Sequence, residues 1–296
     1  MNITEFTEKV VKAAREVLGE EYRVESQEIL KNNGTMLHGI IIRSGSVNIA
    51  PTLYVDPYLR AYEEGMPFGD IMNELLGSYR RGLPGGDVDM DFFRDYEKVK
   101  DRICFKLISA EKNEKLLEDI PYLPFLDLAI VFYYAYVGET IGEGSILIHK
   151  NHMELWNVKV SDLMRVATAN SPRLFPASCR PIAEILEELM HTGADEDMQQ
   201  ALPMLVASND HRVQGAGVIL YPEMLAHVAE ETQQSLYILP SSVHEVILLP
   251  DSGDLDPAML KELIVSINRT QVEEPEVLSD SLYYYDLGQK EIRIAA

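Results

Sequence analysis

Two apolar runs joined by a short polar segment, between Leu236 and Asp251, constrain the fold more than any other stretch; the letters there are LYILPSSVHEVILLPD. The runs are rich in residues that pack well in strands, and the segment between them has the Pro and Ser residues that occur in turns. The stretch therefore predicts two strands of the core joined by a tight turn.

Other hairpin and helix signals precede and follow this stretch. Asn32-Asn33-Gly34 lies between two strand-like runs, and Asn-Gly is the strongest short hairpin signal. With a second turn at Ser44-Gly45-Ser46, residues 22–55 are predicted to form a three-stranded meander. Asn2-Ile3-Thr4-Glu5 fits a capping box at the start of an amphipathic helix. The sequence predicts an α+β fold of antiparallel hairpins and meanders with helices packed on them.

Three further elements follow from local pattern. The apolar run Leu123–Val137 predicts one long strand, and Val213–Leu220 predicts another. Ser161–Ala169 predicts a helix that stops at Asn170-Ser171-Pro172, because Pro rarely continues a helix.

The chain of 296 residues is long enough for one large domain or two smaller ones. The acid-rich segment Gly193–Gln199 is the best candidate for a linker. It predicts an N-terminal α+β lobe over residues 1–192 and a C-terminal α+β lobe over residues 200–296. The alternative is one continuous domain.

Charge and cysteine content narrow the class of protein. The net charge of −22 disfavours direct binding to nucleic acid phosphates and to anionic lipid headgroups. No apolar run is long enough to span a bilayer, and the first residues lack a signal-peptide pattern. Two cysteines, Cys104 and Cys179, are too few for a disulfide framework and fit a reducing compartment. These features predict a cytoplasmic protein whose partners are other proteins, and they leave the oligomeric state open.

The polar segment of the first stretch contains the candidate catalytic residues Ser241, Ser242, His244 and Glu245. If the segment is extended, Ser242 and His244 point to one face and Glu245 to the other, so a third group must come from elsewhere. No Gly-x-Ser-x-Gly elbow is present to expose a serine. A hairpin turn whose serines bond nearby backbone groups is the favoured interpretation.

His149 and His152, three residues apart at the start of a predicted helix, are weak candidates for metal ligands. A polar cluster that starts a helix is the favoured interpretation, because the usual metalloprotease spacing is absent. Gly215-Ala216-Gly217 lies in a strand-like run and indicates close packing or a bulge. No phosphate-binding loop, dinucleotide motif or Cys-x-x-Cys occurs, and no cofactor is predicted.

Several short sequence segments along the chain together resemble those of a known family. They are Asn32-Asn33-Gly34, Asn48–Tyr54, Phe125–Val131, Trp156 with Val160–Asn170, Gly215–Pro222, Tyr237–Glu245 and Val277–Asp286. In combination they resemble an uncharacterised bacterial family, domain of unknown function 5688, over nearly the whole chain. The resemblance implies a bacterial cytosolic origin and implies no catalytic residue.

Two functions follow as expectations. The first is a non-enzymatic cytosolic accessory protein that acts through protein–protein contacts, as the acidity and the missing catalytic motifs indicate. The alternative is a hydrolase or transferase that uses Ser242 and His244, or a metal held by His149 and His152.

Overall fold

A computed structural model describes most of the chain, and the fold is α+β as predicted. The described residues are 1–44, 50–83, 91–138, 142–185, 204–240 and 242–296. Within these ranges the strands form three antiparallel sheets. The chain divides into two compact units, Met1–Arg94 with Ala135–Ser145, and Asp95–Tyr134 with Ile146–Ala296.

The first unit begins with helix α1, Ile3–Leu18, and its predicted capping box is confirmed. The Asn2 side chain accepts a hydrogen bond from the Glu5 amide at 2.8 Å, and Glu5 accepts one from the Asn2 amide at 3.2 Å. The two bonds satisfy amides that a helix start would otherwise leave unpaired.

The predicted meander is also confirmed. Strands β1 (Tyr22–Leu30), β2 (Met36–Ser44) and β3 (Thr52–Tyr54) lie side by side in this order. Asn33 has a φ of 58° at the first turn, a value that Asn tolerates better than most residues. The turn residues Gly45 and Ser46 lie outside the described ranges.

Helices α2 (Asp56–Glu63) and α3 (Phe68–Gly82) complete this part of the unit. Their apolar side chains and those of α1 pack on one face of the meander, as the helical spacing predicts. The core of the first unit contains Phe6, Val10, Ala14, Ile40, Ile42, Ile71 and Leu75.

A four-stranded sheet contains β4 (Ile103–Ser109), β5 (Tyr122–Phe125), β6 (Leu128–Gly138) and β7 (Gly142–Leu147). The prediction of one strand over Leu123–Val137 is wrong, because the chain turns between β5 and β6. Leu126 adopts a φ of 55° there, and the Asp127 carboxylate accepts hydrogen bonds from Ser279 and Tyr283. These contacts come from distant sequence, so local apolarity could not reveal the turn.

A six-stranded sheet occupies the second unit in the order β13-β12-β10-β11-β9-β8. The predicted strands on either side of the polar segment are β10 and β11, with Leu236 opposite Pro250. The tail hairpin is formed by β12 and β13. The six strands are β8 (Ala177–Pro181), β9 (Leu205–Asn209), β10 (Leu236–Leu239), β11 (Val246–Pro250), β12 (Tyr283–Asp286) and β13 (Glu291–Ile294).

The second unit also contains helices of very different length. The α-helices described here are α4 (Tyr96–Val99), α5 (Glu114–Leu117), α6 (Lys150–Trp156), α7 (Val160–Leu174), α8 (Met224–Thr232) and α9 (Pro257–Thr270). Short 3₁₀ helices cover Asn32–Gly34 and Asp91–Arg94 in the first unit. In the second unit they cover Lys100–Arg102, Glu111–Asn113, Gly215–Leu220 and Glu274–Glu276. Among the described helices, none combines the length and the apolarity needed to cross a membrane.

Helix α7 continues past its predicted stop and includes Pro172. The Asn170 side chain donates to the carbonyls of Lys100 and Ile103 at 2.7 and 2.9 Å. The Ser171 hydroxyl accepts the Phe105 amide at 3.1 Å. These bonds to neighbouring segments hold the last turn in place, although Pro172 lacks an amide hydrogen.

The prediction of a strand over Val213–Leu220 is wrong as well, since Gly215–Leu220 is a buried 3₁₀ helix. The predicted linker Gly193–Gln199 lies outside the described ranges. Strands from either side of it, β8 and β9, pair in one sheet. The division into lobes 1–192 and 200–296 stays a prediction.

Candidate functional site

The segment between β10 and β11 meets two other parts of the second unit. One is the loop after β9, Asn209–Gly215, called the β9 loop below. The other is the 3₁₀ turn Glu274–Glu276. The Val243 amide donates to the Glu276 carbonyl at 2.8 Å, and the Ala216 amide donates to the Val243 carbonyl at 3.2 Å. The polar segment is therefore fixed from both sides.

The imidazole of His244 links the three segments. Its Nδ1 lies 3.3 Å from the backbone nitrogen of Gln214, and its Nε2 lies 3.3 Å from Oε1 of Glu276. An amide N–H can only donate, so Nδ1 is the acceptor and the neutral ring carries its proton on Nε2. That proton points to Glu276. Both ring nitrogens are thus engaged.

The serine hydroxyls near His244 bond to the backbone. Ser242 Oγ accepts the His244 amide at 3.1 Å, and Ser208 Oγ donates to the His244 carbonyl at 2.7 Å. Ser241 lies outside the described ranges. A serine nucleophile would need its hydroxyl at a ring nitrogen, and the contacts of Ser242 and His244 are of another kind.

Glu245 is exposed. It lines a cavity of about 40 Å³ together with Arg180, Arg212, Ser208 and Asn209. The acid at His244 is instead Glu276, which sequence reasoning did not identify. Glu276 stands in an acidic stretch with no distinguishing spacing, and only the tertiary fold brings it to the ring.

Gly215 explains why the β9 loop can approach the polar segment so closely. A Cβ atom on Gly215 would lie 2.1 Å from Ser208 Oγ, 2.4 Å from the His244 carbonyl oxygen and 2.8 Å from the Asn209 nitrogen. Only a residue without a side chain fits between these groups. The close packing expected at the Gly-Ala-Gly sequence is present at its first glycine.

The β9 loop presents an apolar side chain in an uncommon backbone. Arg212 and Gln214 have φ values of 53° and 56°, in the left-handed region that side chains other than Gly, Asn and Asp rarely adopt. Between them, Val213 exposes 55% of its surface. Such conformations persist only where the surroundings fix them, and they cluster at functional sites.

Asn209 fixes this conformation. Its buried side chain donates to the Val213 carbonyl at 2.8 Å and accepts the Val213 amide at 3.4 Å. It also accepts the His211 amide at 3.1 Å. Both backbone polar groups of Val213 are therefore held by one side chain. The sequence predicts a turn over Ser208-Asn209-Asp210. The predicted strand from Val213 onward did not include the rest of the loop.

His149 and His152 lie where helix α6 begins, as predicted. His149 Nδ1 is 2.6 Å from Oδ2 of Asp119, and His152 Nδ1 accepts the His149 amide at 3.1 Å. Burial lowers the pKa of His152, and the neighbouring His149 lowers it further. Within the described residues, no three His, Cys, Asp or Glu side chains gather as a metal site.

Comparison with known proteins gives one match. A family model that describes a family of unknown function matches residues 3–287, nearly the whole chain. No curated protein and no solved structure matches the chain.

Proposed function

The chain belongs to the family of unknown function DUF5688, and we propose that it acts in the bacterial cytoplasm as a non-enzymatic accessory protein that binds another protein. The observation that carries the proposal is the presentation of Val213. An exposed β-branched side chain stands between two left-handed residues, and a buried asparagine fixes its backbone. A loop ordered in advance loses little conformational entropy when a partner binds.

The contribution of Val213 can be estimated from its apolar surface. Complete transfer of a valine side chain from water into an apolar pocket is worth about 1.5–3 kcal/mol, and Val213 exposes 55% of its surface, so a partner can gain about 0.8–1.7 kcal/mol. That energy corresponds to about four- to fifteenfold in affinity. The partner is therefore expected to have an apolar pocket that receives Val213.

The negative charge of the chain indicates what surrounds the apolar pocket on the partner. The chain has a net charge of −22, and the segment next to His244 contributes Glu273, Glu274 and Glu276. A partner with a basic rim around its apolar pocket would be attracted at long range and would associate faster.

The contact geometry lends less support to the alternative functions. The His244 ring accepts a hydrogen bond from the Gln214 amide and contacts Glu276. The Ser242 hydroxyl accepts a hydrogen bond from the backbone amide of His244. A hydrolase or transferase using Ser242 and His244 would need both groups to leave these partners. The metal alternative at His149 and His152 would need a further ligand beside Asp119.

Co-purification from cells that produce the tagged, intact protein tests the proposal. Val213→Ser removes the apolar side chain, and Val17→Ser is the matched control, since Val17 is also exposed but lies on α1. A partner should co-purify with the original and the Val17→Ser proteins and be depleted with Val213→Ser.

The captured partner is then purified and its Kd is measured by calorimetry. We expect Val213→Ser to weaken binding about four- to fifteenfold and Val17→Ser to leave it unchanged. Equal affinity of both variants, or no protein whose recovery depends on Val213, would refute the proposal.

A further inference from the structure

We infer that protonation of His244 releases the β9 loop, so that the partner binding proposed above, on which this inference rests, weakens in acid. The inference starts from one contact. In the neutral ring, Nδ1 accepts the Gln214 amide at 3.3 Å. A protonated imidazole carries hydrogens on both nitrogens, so Nδ1 then faces another donor and the bond is lost.

The hydrogen bond that protonation breaks is made by the amide of Gln214, whose backbone lies in the left-handed region of φ and ψ. Gln214 has a φ of 56° and follows Val213, so the His244 ring helps to maintain the backbone that presents the valine. Asn209 holds the other end of the loop through Val213. Loss of the Gln214 contact therefore loosens the loop on the side of the polar segment.

Glu276 lies beside the other ring nitrogen. Its Oε1 lies 3.3 Å from His244 Nε2, and both side chains are partly exposed, at 29% for His244 and 43% for Glu276. The Nε2 hydrogen is present in the neutral and in the charged ring, so the contact with Glu276 survives protonation. Histidine is also the side chain whose charge ordinarily changes between about pH 5 and 8.

Other charged groups lie on the segments around the ring. The further titratable or charged side chains on the surrounding segments are Asp210, His211, Arg212, Glu245, Glu273 and Glu274. Arg212 and Glu245 line the 40 Å³ cavity, and the His211 ring packs on Phe175 with centroids 5.1 Å apart. Among the described contacts, Glu276 is the charged group at the His244 ring.

Hydrogen exchange of the intact protein, followed by NMR at the Gln214 amide, tests the protonation step. Rates are measured at about pH 7.5 and about 5.5 and corrected for the intrinsic pH dependence of exchange. We expect protection of this amide to fall about fivefold in acid, the factor for one net hydrogen bond.

His244→Asn is the decisive variant, because the Asn side-chain oxygen keeps an acceptor near the position of Nδ1 and cannot be protonated. In this variant, the protection of the Gln214 amide against hydrogen exchange should not depend on pH. His227→Asn is the matched control, since His227 lies on α8 and pairs with Glu231 at 3.4 Å. It should respond to pH as the original protein does.

An unchanged response in His244→Asn, or constant protection in the original protein, would overturn the inference.

The two proposals fail separately. Partner capture that depends on Val213, with pH-independent exchange at Gln214, would refute the protonation step alone. A pH-dependent loop without any Val213-dependent partner would refute the proposed function, and with it the regulatory role. When both hold, the partner Kd should rise in acid for the original protein and stay constant for His244→Asn.

Discussion

Among the described glycines, Gly215 has the least space for a Cβ atom. Three atoms of the polar segment and of β9 occupy the volume where its Cβ would lie, and two of them belong to the backbone. Because backbone atoms cannot move away as a flexible side chain would, the fit at this residue determines how closely the β9 loop approaches His244.

We expect Gly215→Ala to lower the free energy of unfolding by about 1–3 kcal/mol, the usual cost of overpacking. Urea denaturation followed by circular dichroism measures the change. Gly217→Ala is the matched control, because its Cβ would meet Phe105 at an ordinary contact distance of 3.5 Å.

The control should stay within about 1 kcal/mol of the original protein. Equal stability of the two variants would mean that the close approach at Gly215 is not maintained in solution.

At the scale of elements, helix α7 and strand β4 are joined by side-chain bonds at the end of the helix. Asn170 donates to the Lys100 and Ile103 carbonyls, and Ser171 accepts the Phe105 amide. Two consecutive polar residues thus fix the helix against the sheet where a local pattern predicts that the helix ends.

Asn170→Ala should destabilise the protein by about 1–3 kcal/mol, since it removes the donor of two side-chain hydrogen bonds to backbone carbonyls at the end of α7. Thermal or urea unfolding measures this loss. Thr270→Ala serves as the control, because the Thr270 hydroxyl donates only within α9, to the Ser266 carbonyl.

We expect the control to change stability by less than about 0.5 kcal/mol. A loss of the same size in both variants would contradict the role given to Asn170.

The elements also show what sequence alone could predict. The meander at Asn33, the capping box of α1 and the hairpin of β10 and β11 depend on neighbouring residues, and all three are confirmed. The turn at Asp127 and the last turn of α7 depend on groups far along the chain, and the local predictions there were wrong.

The candidate site also has parts that the sequence could predict and parts that it could not. The polar segment with His244 could be identified from its position between two apolar runs. Glu276 and the β9 loop could not, because tertiary contacts alone bring them to the ring. The conformation of Val213 depends on a side chain four residues earlier that sequence pattern reads as part of a turn.

At the scale of the whole molecule, the dominant property is charge. The chain carries 48 acidic and 26 basic residues, and the net charge is −22. Phosphate-binding proteins gain affinity by releasing counterions with Lys and Arg, and an acidic surface has the opposite effect.

We therefore expect no binding to duplex DNA or to anionic vesicles at about 0.15 M salt. Fluorescence anisotropy with a labelled duplex measures binding to DNA, and co-sedimentation with phosphatidylserine vesicles measures binding to the anionic membrane. A basic protein of similar size serves as the positive control. Saturable binding to either polyanion would contradict the prediction and would indicate a local basic surface.

The contacts of Asp127 have a consequence for the route by which the second unit folds. Its carboxylate is bound by Ser279 and Tyr283, which follow it by 152 and 156 residues. The Asp127 carboxylate, in the turn between β5 and β6, is satisfied only after the chain has closed a loop of that length. Closing such a loop costs entropy before any contact is gained, and contacts of this sequence separation are associated with slow folding.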